Sequence, residues 1–194
     1  MANLLEPFAG GLAEVAADRL IRHFGGLGRA LAVTPEQLLG ALAGDRRLAE
    51  AIVAARTLFE AGLRERISHA PVSIGDPAFH EYLRFIIGKS STECLHATFV
   101  TCNWGYLADE QIASGTTAQV ETNMRRLLGR AFDVGAHGII LAHNHPSLSA
   151  EPSVEDIELT RTIAQLTKSV GIRLLDHLIV GGQEIVSMRQ RGLL

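Results

Sequence analysis

His143, His145, Ser153 and Asp156 are the residues of this sequence whose types and spacing could do chemistry. They lie in one stretch, Ala142 to Asp156, that reads AHNHPSLSAEPSVED. The two histidines are separated by one residue and follow the apolar run Ile139, Ile140, Leu141. Side chains two apart in a strand share a face, with Cα atoms about 6.5–7 Å apart, so both imidazoles can converge on one cation. Pro146 then takes the chain out of the sheet. Ser153 to Asp156 fits the S-x-x-[DE] capping box that opens a helix, with Asp156 close to the positive helix end. A cap of this kind is worth about 1 kcal/mol and explains the pattern without a ligand. The two readings are compatible, because a helix start would hold Asp156 rigidly while residues 146–152 return it to the histidines. Two imidazoles and a carboxylate leave a fourth position on tetrahedral Zn²⁺ for water, and zinc lowers the pKa of such a water from about 15.7 to about 7. The alternative at this level is a His–Asp hydrogen-bond network in a polar turn.

The elements that must position these residues can be read from periodicity. HGIILAHNHP is a buried strand that delivers the histidines, and SVEDIELTRTIAQLTKSVG is an amphipathic helix ending at Gly171. ECLHATFVTC, EQIASGTTAQV, IRLLDHLIVGG and QEIVSM read as further strands or turn segments, and PAFHEYLRFIIGK and VETNMRRLLGRAFDVGA as helices. Interspersed strands and helices make this part an α/β or α+β domain. The first third is helical. GLAEVAADRLIRHFGG sets Leu12, Val15, Ala16, Leu20 and Phe24 near one face, and TPEQLLGALAG opens with Thr34 as N-cap and Pro35 at the first helical position. RRLAEAIVAARTLFEAGLRERI is a longer helix, whose arginines at 46, 47, 56, 64 and 66 are read as a solvated face with charge pairs rather than a phosphate-facing patch. The division is residues 1–67 helical, 68–76 a Pro- and Gly-containing linker, and 77–194 the mixed domain.

The net charge of −3 is opposite in sign to the basic surplus that nucleic-acid binding usually brings. No apolar run approaches the roughly 18 residues of a membrane span, and the N-terminus is read as lacking a signal peptide. Cys94 and Cys102 have no zinc-knuckle spacing and suggest a reducing compartment, with the cytoplasm as the simplest reading. Cys102 is read as a buried apolar filler. His23, His69, His80, His96 and His137 lack ligand spacing and are read as surface or ordinary polar residues. Asp176 and His177 are read as bonding a neighbouring strand rather than as part of a metal site.

His143-x-His145-x(7)-Ser153-x-x-Asp156 resembles the JAMM motif of JAB/MPN-domain zinc metalloproteases. HNHPS, PSVED, the LTRTI run, LLDHLIVGG, ASGTT at 113–117 and the ending SMRQRGLL resemble the RadC branch in particular. The resemblance covers residues 77–194 and spans separated segments in the right order. It implies a cytidine-deaminase-like mixed sheet flanked by helices. It implies zinc held by His143, His145 and Asp156, with Glu93 as general base and Ser153 helping to stabilise the oxyanion. The function so implied is a zinc-dependent metallopeptidase or isopeptidase that uses an activated water on a peptide or protein substrate. Two departures stand out. Leu148 occupies the place of a glycine, which is expected to alter a tight backbone conformation. VETNMRR replaces a PRE-type helix start, leaving Arg125 or Arg126 as candidates for that arginine's role.

RadC relatives carry a helix-hairpin-helix element whose G-x-G-x-x-x-A turn meets DNA phosphates. In the corresponding LAGDRRLAEA, Gly44 remains, Leu42 replaces the earlier glycine, Leu48 stands near the later alanine, and Asp45 adds a negative charge. This is a degenerate hairpin, with weak or no DNA binding expected. The alternative function is a DNA-repair-associated nucleic-acid-binding protein or a metal-dependent nuclease, whose affinity would fall steeply with salt. A metal-binding scaffold without catalysis would have no need of Glu93. The substrate and the oligomeric state are not encoded in any motif of the sequence.

Overall fold

A computed structural model describes residues 1–115 and 120–194, with side chains for all of these except 120–123. Thr116 and Thr117 of the ASGTT segment lie outside the described residues. The chain divides into two compact units, Met1–Gly62 and Leu63–Leu194.

The first unit holds α1 (Ala2–Ala9), a 3₁₀ turn (Gly10–Leu12), α2 (Ala13–Phe24), α3 (Leu27–Ala30), α4 (Pro35–Ala41) and the larger part of α5 (Arg46–Ser68). Its core gathers Leu5, Leu20, Leu38, Leu42, Leu48 and Ile52 around small alanines. The buried face of α2 is Ala13, Ala16, Ala17 and Leu20. The expected face through Leu12 and Val15 is corrected, since both are exposed; small side chains let the short helices approach closely. Thr34 caps α4 in a full capping box with Gln37, with Pro35 in the first turn. Asp45, read from sequence as a charge disfavouring phosphate, acts locally as a cap, its Oδ1 accepting from Leu48 N at 3.1 Å at the start of α5. Arg56 donates to the carbonyls of Leu31 and Val33 at 3.1 and 2.9 Å.

The second unit begins inside α5, ahead of the segment 68–76. Leu63 and Ile67 pack with Val72, Phe79, Tyr82 and Leu83, and Val72 N donates to Trp104 O at 2.7 Å. These apolar anchors give the last turns of α5 and the following segment to the mixed domain. Then come α6 (Pro77–Ile86), β1 (Cys94–Val100), β2 (Tyr106–Ser114), α7 (Val120–Asp133), β3 (Gly138–Asn144), α8 (Val154–Ser169), β4 (Arg173–Gly181) and β5 (Glu184–Ser187). The sheet order is β2-β1-β3-β4-β5. Only β3 and β4 run parallel; the other neighbours are antiparallel. This is the mixed α/β architecture that the resemblance implied.

Helices cover both faces of the sheet, and β3, at its centre, is buried along its whole length, as expected of a strand covered on both sides. Cys94, Val100, Ile140, Ala142, Leu175, Leu178 and Val180 pack beneath α6 and the end of α5. Leu95, Ala97, Phe99, Ile139, Leu141 and Leu174 face α7 and α8, where they meet Leu127, Ala131 and Ile163. The register of β3 against β4 shifts between Ile139/Ile140, so that Ile139 pairs with Leu174 but Ile140 pairs with Asp176. That one-residue bulge inverts which face the following β4 side chains address.

Candidate metal centre

β3 ends at Asn144, and the ladder persists one residue further, with His145 N donating to Val180 O at 3.0 Å. His143 and His145 therefore share a face, the one covered by α8. Leu148 N donates to His145 O at 2.9 Å and closes a turn. Leu148 sits at φ 67°. The leucine occupies a left-handed conformation at a cost of about 1–2 kcal/mol, and its side chain is 61% exposed.

The capping box is present. Ser153 Oγ accepts from Asp156 N at 3.1 Å, and Ser153 N donates to Asp156 Oδ2 at 2.8 Å. The same carboxylate faces the histidines. His143 Nε2 lies 3.1 Å from Asp156 Oδ1, His145 Nε2 lies 3.3 Å from Asp156 Oδ2, and the two Nε2 atoms are 2.8 Å apart. His143, His145 and Asp156 are a group of possible ligands whose atoms all fall within 4.8 Å of one another. Tetrahedral zinc with bonds of about 2.0–2.1 Å sets its ligand atoms roughly 3.3 Å apart, so this donor set fits such an ion after the two imidazoles part slightly. Burial raises the Asp156 carboxyl's pKa, but hydrogen bonding and attraction from His143, when that ring is protonated, together with the Ser153 cap outweigh it and hold the group below the usual carboxylate range.

Each histidine has an orienting partner at its other nitrogen. His145 Nδ1 lies 2.9 Å from Ser149 O. A carbonyl only accepts, so Nδ1 carries the proton and Nε2 offers a lone pair. His143 Nδ1 lies 2.8 Å from His177 Nε2. His177 thus does bond a neighbouring strand, as read from the sequence, but its partner on β3 is a residue of the candidate site, and the ring is fully buried beside it. Asp176 does bond the segment of β5, accepting from Ser187 Oγ and from Arg189 N. Burial, followed by the proximity of His143, brings the His177 pKa down to about 3.

Glu93 lies in the exposed segment just before β1, and its carbonyl accepts from Gly115 N at 2.8 Å. It stands outside the three-residue group. The β1–β3 register pairs Leu95, two residues after Glu93, with His143. Cys94 belongs to the core beneath α6, on the opposite face from that occupied by Leu95, as the alternation of a strand requires. Cys102 is exposed, which corrects its reading as a buried filler. Arg126 is engaged with Glu110 of β2 at 2.5 Å.

A second ionisable cluster lies on the α6 face, where the sequence offered no spacing to reveal it. Arg64 donates to Asp109 Oδ1 and Oδ2 at 2.8 and 3.3 Å, and Tyr106 OH donates to Oδ1 as well. His96, only 2% exposed and thus no surface residue, comes within 3.3 Å of Asp109 Oδ2. Burial alone would raise the Asp109 pKa, yet His96, Arg64 and Tyr106 together drive it far below the ordinary range. Arg66, in turn, pairs with Glu81 at 2.8 Å, so Arg56, Arg64 and Arg66 of the five arginines all have intramolecular partners. No helix among the described residues is long and apolar enough to cross a membrane.

Comparison with known proteins places these elements in a wider set. The family model of the RadC-like JAB domain matches residues 76–193. A UPF0758 protein of Neisseria gonorrhoeae is 34% identical over 200 residues, covering 100% of this chain and 87% of the relative. UPF0758 proteins of Variovorax paradoxus and Leptothrix cholodnii are each 32% identical, covering 92% of this chain and 80% of their own.

Proposed function

This chain belongs to the RadC-like JAB domain family, and from that premise we propose that it is a zinc-dependent hydrolase of amide bonds in a peptide or protein substrate. The observation that carries the reading is the convergence of His143 Nε2, His145 Nε2 and the Asp156 carboxylate on one point. A zinc ion held by these three groups would supply a Lewis acid that polarises the scissile carbonyl and acidifies a water.

The remaining roles fall to side chains of the chain itself. Asp156 is fixed in direction through the Ser153 cap. Ser153 Oγ accepts from Asp156 N, a bond that leaves its own proton available to a substrate oxygen bearing developing charge. Glu93 would take the proton of the attacking water and pass it to the departing nitrogen. Its exposed position ahead of β1 leaves the carboxylate free to reach a substrate. Zinc binding and hydrolysis are separable in the test. Wild type is expected to bind one zinc in a chelator-competition titration and to cleave members of a peptide library followed by mass spectrometry. Glu93→Gln should keep the zinc and lose about 10²-fold or more in cleavage rate. Absence of stoichiometric zinc in wild type, or undiminished cleavage by Glu93→Gln, would overturn the reading.

A further inference from the structure

His145 has its tautomer set directly by a backbone carbonyl, but His143 leans on another histidine, whose nitrogen can donate or accept. The structure resolves the ambiguity one step further on. His177 Nδ1 lies 2.6 Å from Thr160 Oγ1. Thr160, on α8 and fully buried, donates from Oγ1 to the carbonyl of Asp156 at 2.5 Å. Its other neighbour is Met188 Sδ at 3.4 Å, a thioether that also only accepts. The single hydroxyl proton is therefore spent on an acceptor, and Thr160 must receive the hydrogen bond from His177. His177 Nδ1 then carries a proton. In this fully buried site the ring stays neutral, so its Nε2 is a lone pair, which obliges His143 Nδ1 to donate.

We propose that Thr160 and His177 are positioning residues that lock His143 into the Nδ1–H tautomer, leaving its Nε2 lone pair aimed between His145 and Asp156. The relay starts at the ring of one proposed metal-binding residue, His143, and ends on the backbone of another, Asp156. It thereby couples the end of β3 to the first turn of α8 through β4. An imidazole in water favours the opposite, Nε2–H form, which would present a proton to a cation; the relay removes that obstacle before any cation arrives. As a statement about metal affinity this rests on the proposed function, whereas as a statement about proton positions it does not.

The test uses the full chain, metal-free and labelled with ¹⁵N-histidine, at a pH where its imidazoles are neutral. His143 and His177 should each show a protonated Nδ1 and an unprotonated Nε2. Thr160→Val keeps the side-chain shape and removes the hydroxyl; it should release both rings into mixed tautomers and weaken zinc binding about 10–100-fold. Thr160→Ser should restore both. A merely structural role would shift the thermal midpoint of Thr160→Val and leave the ¹⁵N pattern alone. An unprotonated His143 Nδ1 in wild type, a spectrum needing no variant to fold, overturns the proposal. So does a Thr160→Val protein with unchanged tautomers. Wild type with the assigned tautomers but no affinity for zinc would overturn the proposed function and leave the relay standing.

Discussion

On the α6 face of the sheet, Asp109 accepts from Arg64 and Tyr106 and lies against His96; on the α8 face, Asp156 lies against His143 and His145. Both clusters set a carboxylate among apolar side chains, yet their charges are handled differently. Around Asp109 the N–H and O–H donors of Arg64 and Tyr106 point inward and a full positive charge is supplied by the chain, so the cluster is closed. Around Asp156 the His145 Nδ1 proton points outward to Ser149 O, and the relay gives His143 the same orientation. Lone pairs then meet with no cationic side chain between them among the described residues. A closed cluster is costly to break, since removing one partner strands buried charge. An open one invites an external cation.

The largest expected effect follows from breaking the closed cluster. Asp109→Ala takes the buried carboxylate away from Arg64, Tyr106 and His96 and should cost about 3 kcal/mol in urea unfolding of the metal-free protein. Breaking the open cluster should act through zinc instead. Free zinc at 100 times its dissociation constant should stabilise wild type by about 2.7 kcal/mol and Asp156→Ala by nothing measurable; a chelator should erase the difference seen in wild type.

The two clusters also separate by pH. The Asp109 pKa is depressed in the folded chain relative to its ordinary value near 3.8. The unfolded chain therefore takes up the proton first as pH falls. The contribution is fully present above about pH 4 and is lost as pH drops towards the folded pKa. Urea midpoints measured from pH 7 to pH 3 should fall in wild type, and the part due to this carboxylate should be missing in Asp109→Asn. The smallest effect concerns the turn beside His145. Leu148→Gly releases about 1–2 kcal/mol of left-handed strain but gives the unfolded chain more freedom by about 0.4–1 kcal/mol. A net gain of roughly 0.5 kcal/mol in the thermal unfolding free energy is expected from these terms.

What could be read in advance tracks sequence distance. β3, α8, the capping box and the convergence of His143 with His145 rest on periods of two and on spacings within one turn, all local. Glu93 was reached through the resemblance, since an isolated acidic residue before a strand has no spacing to mark it. α1 went unread because its Leu4 and Phe8 are exposed and Pro7 interrupts the helical pattern. The first strand residues of β2, Tyr106 to Asp109, carried no signal of their pairing with β1.

His177 shows most clearly where local reading stops. In LLDHLIV a regular alternation would place it with Leu175, on the α6 face. The register shift that pairs Ile140 with Asp176 turns it to the α8 face, where it meets His143 and Thr160. The sequence by itself determined the donor set and its cap, because nearest-neighbour geometry along a strand and a helix fixes them. Only the tertiary structure decided which nitrogen of His143 faces that centre and which carboxylate is neutralised from within. Both depend on strand register and on partners far apart in the chain, and a shift of one residue reverses the face.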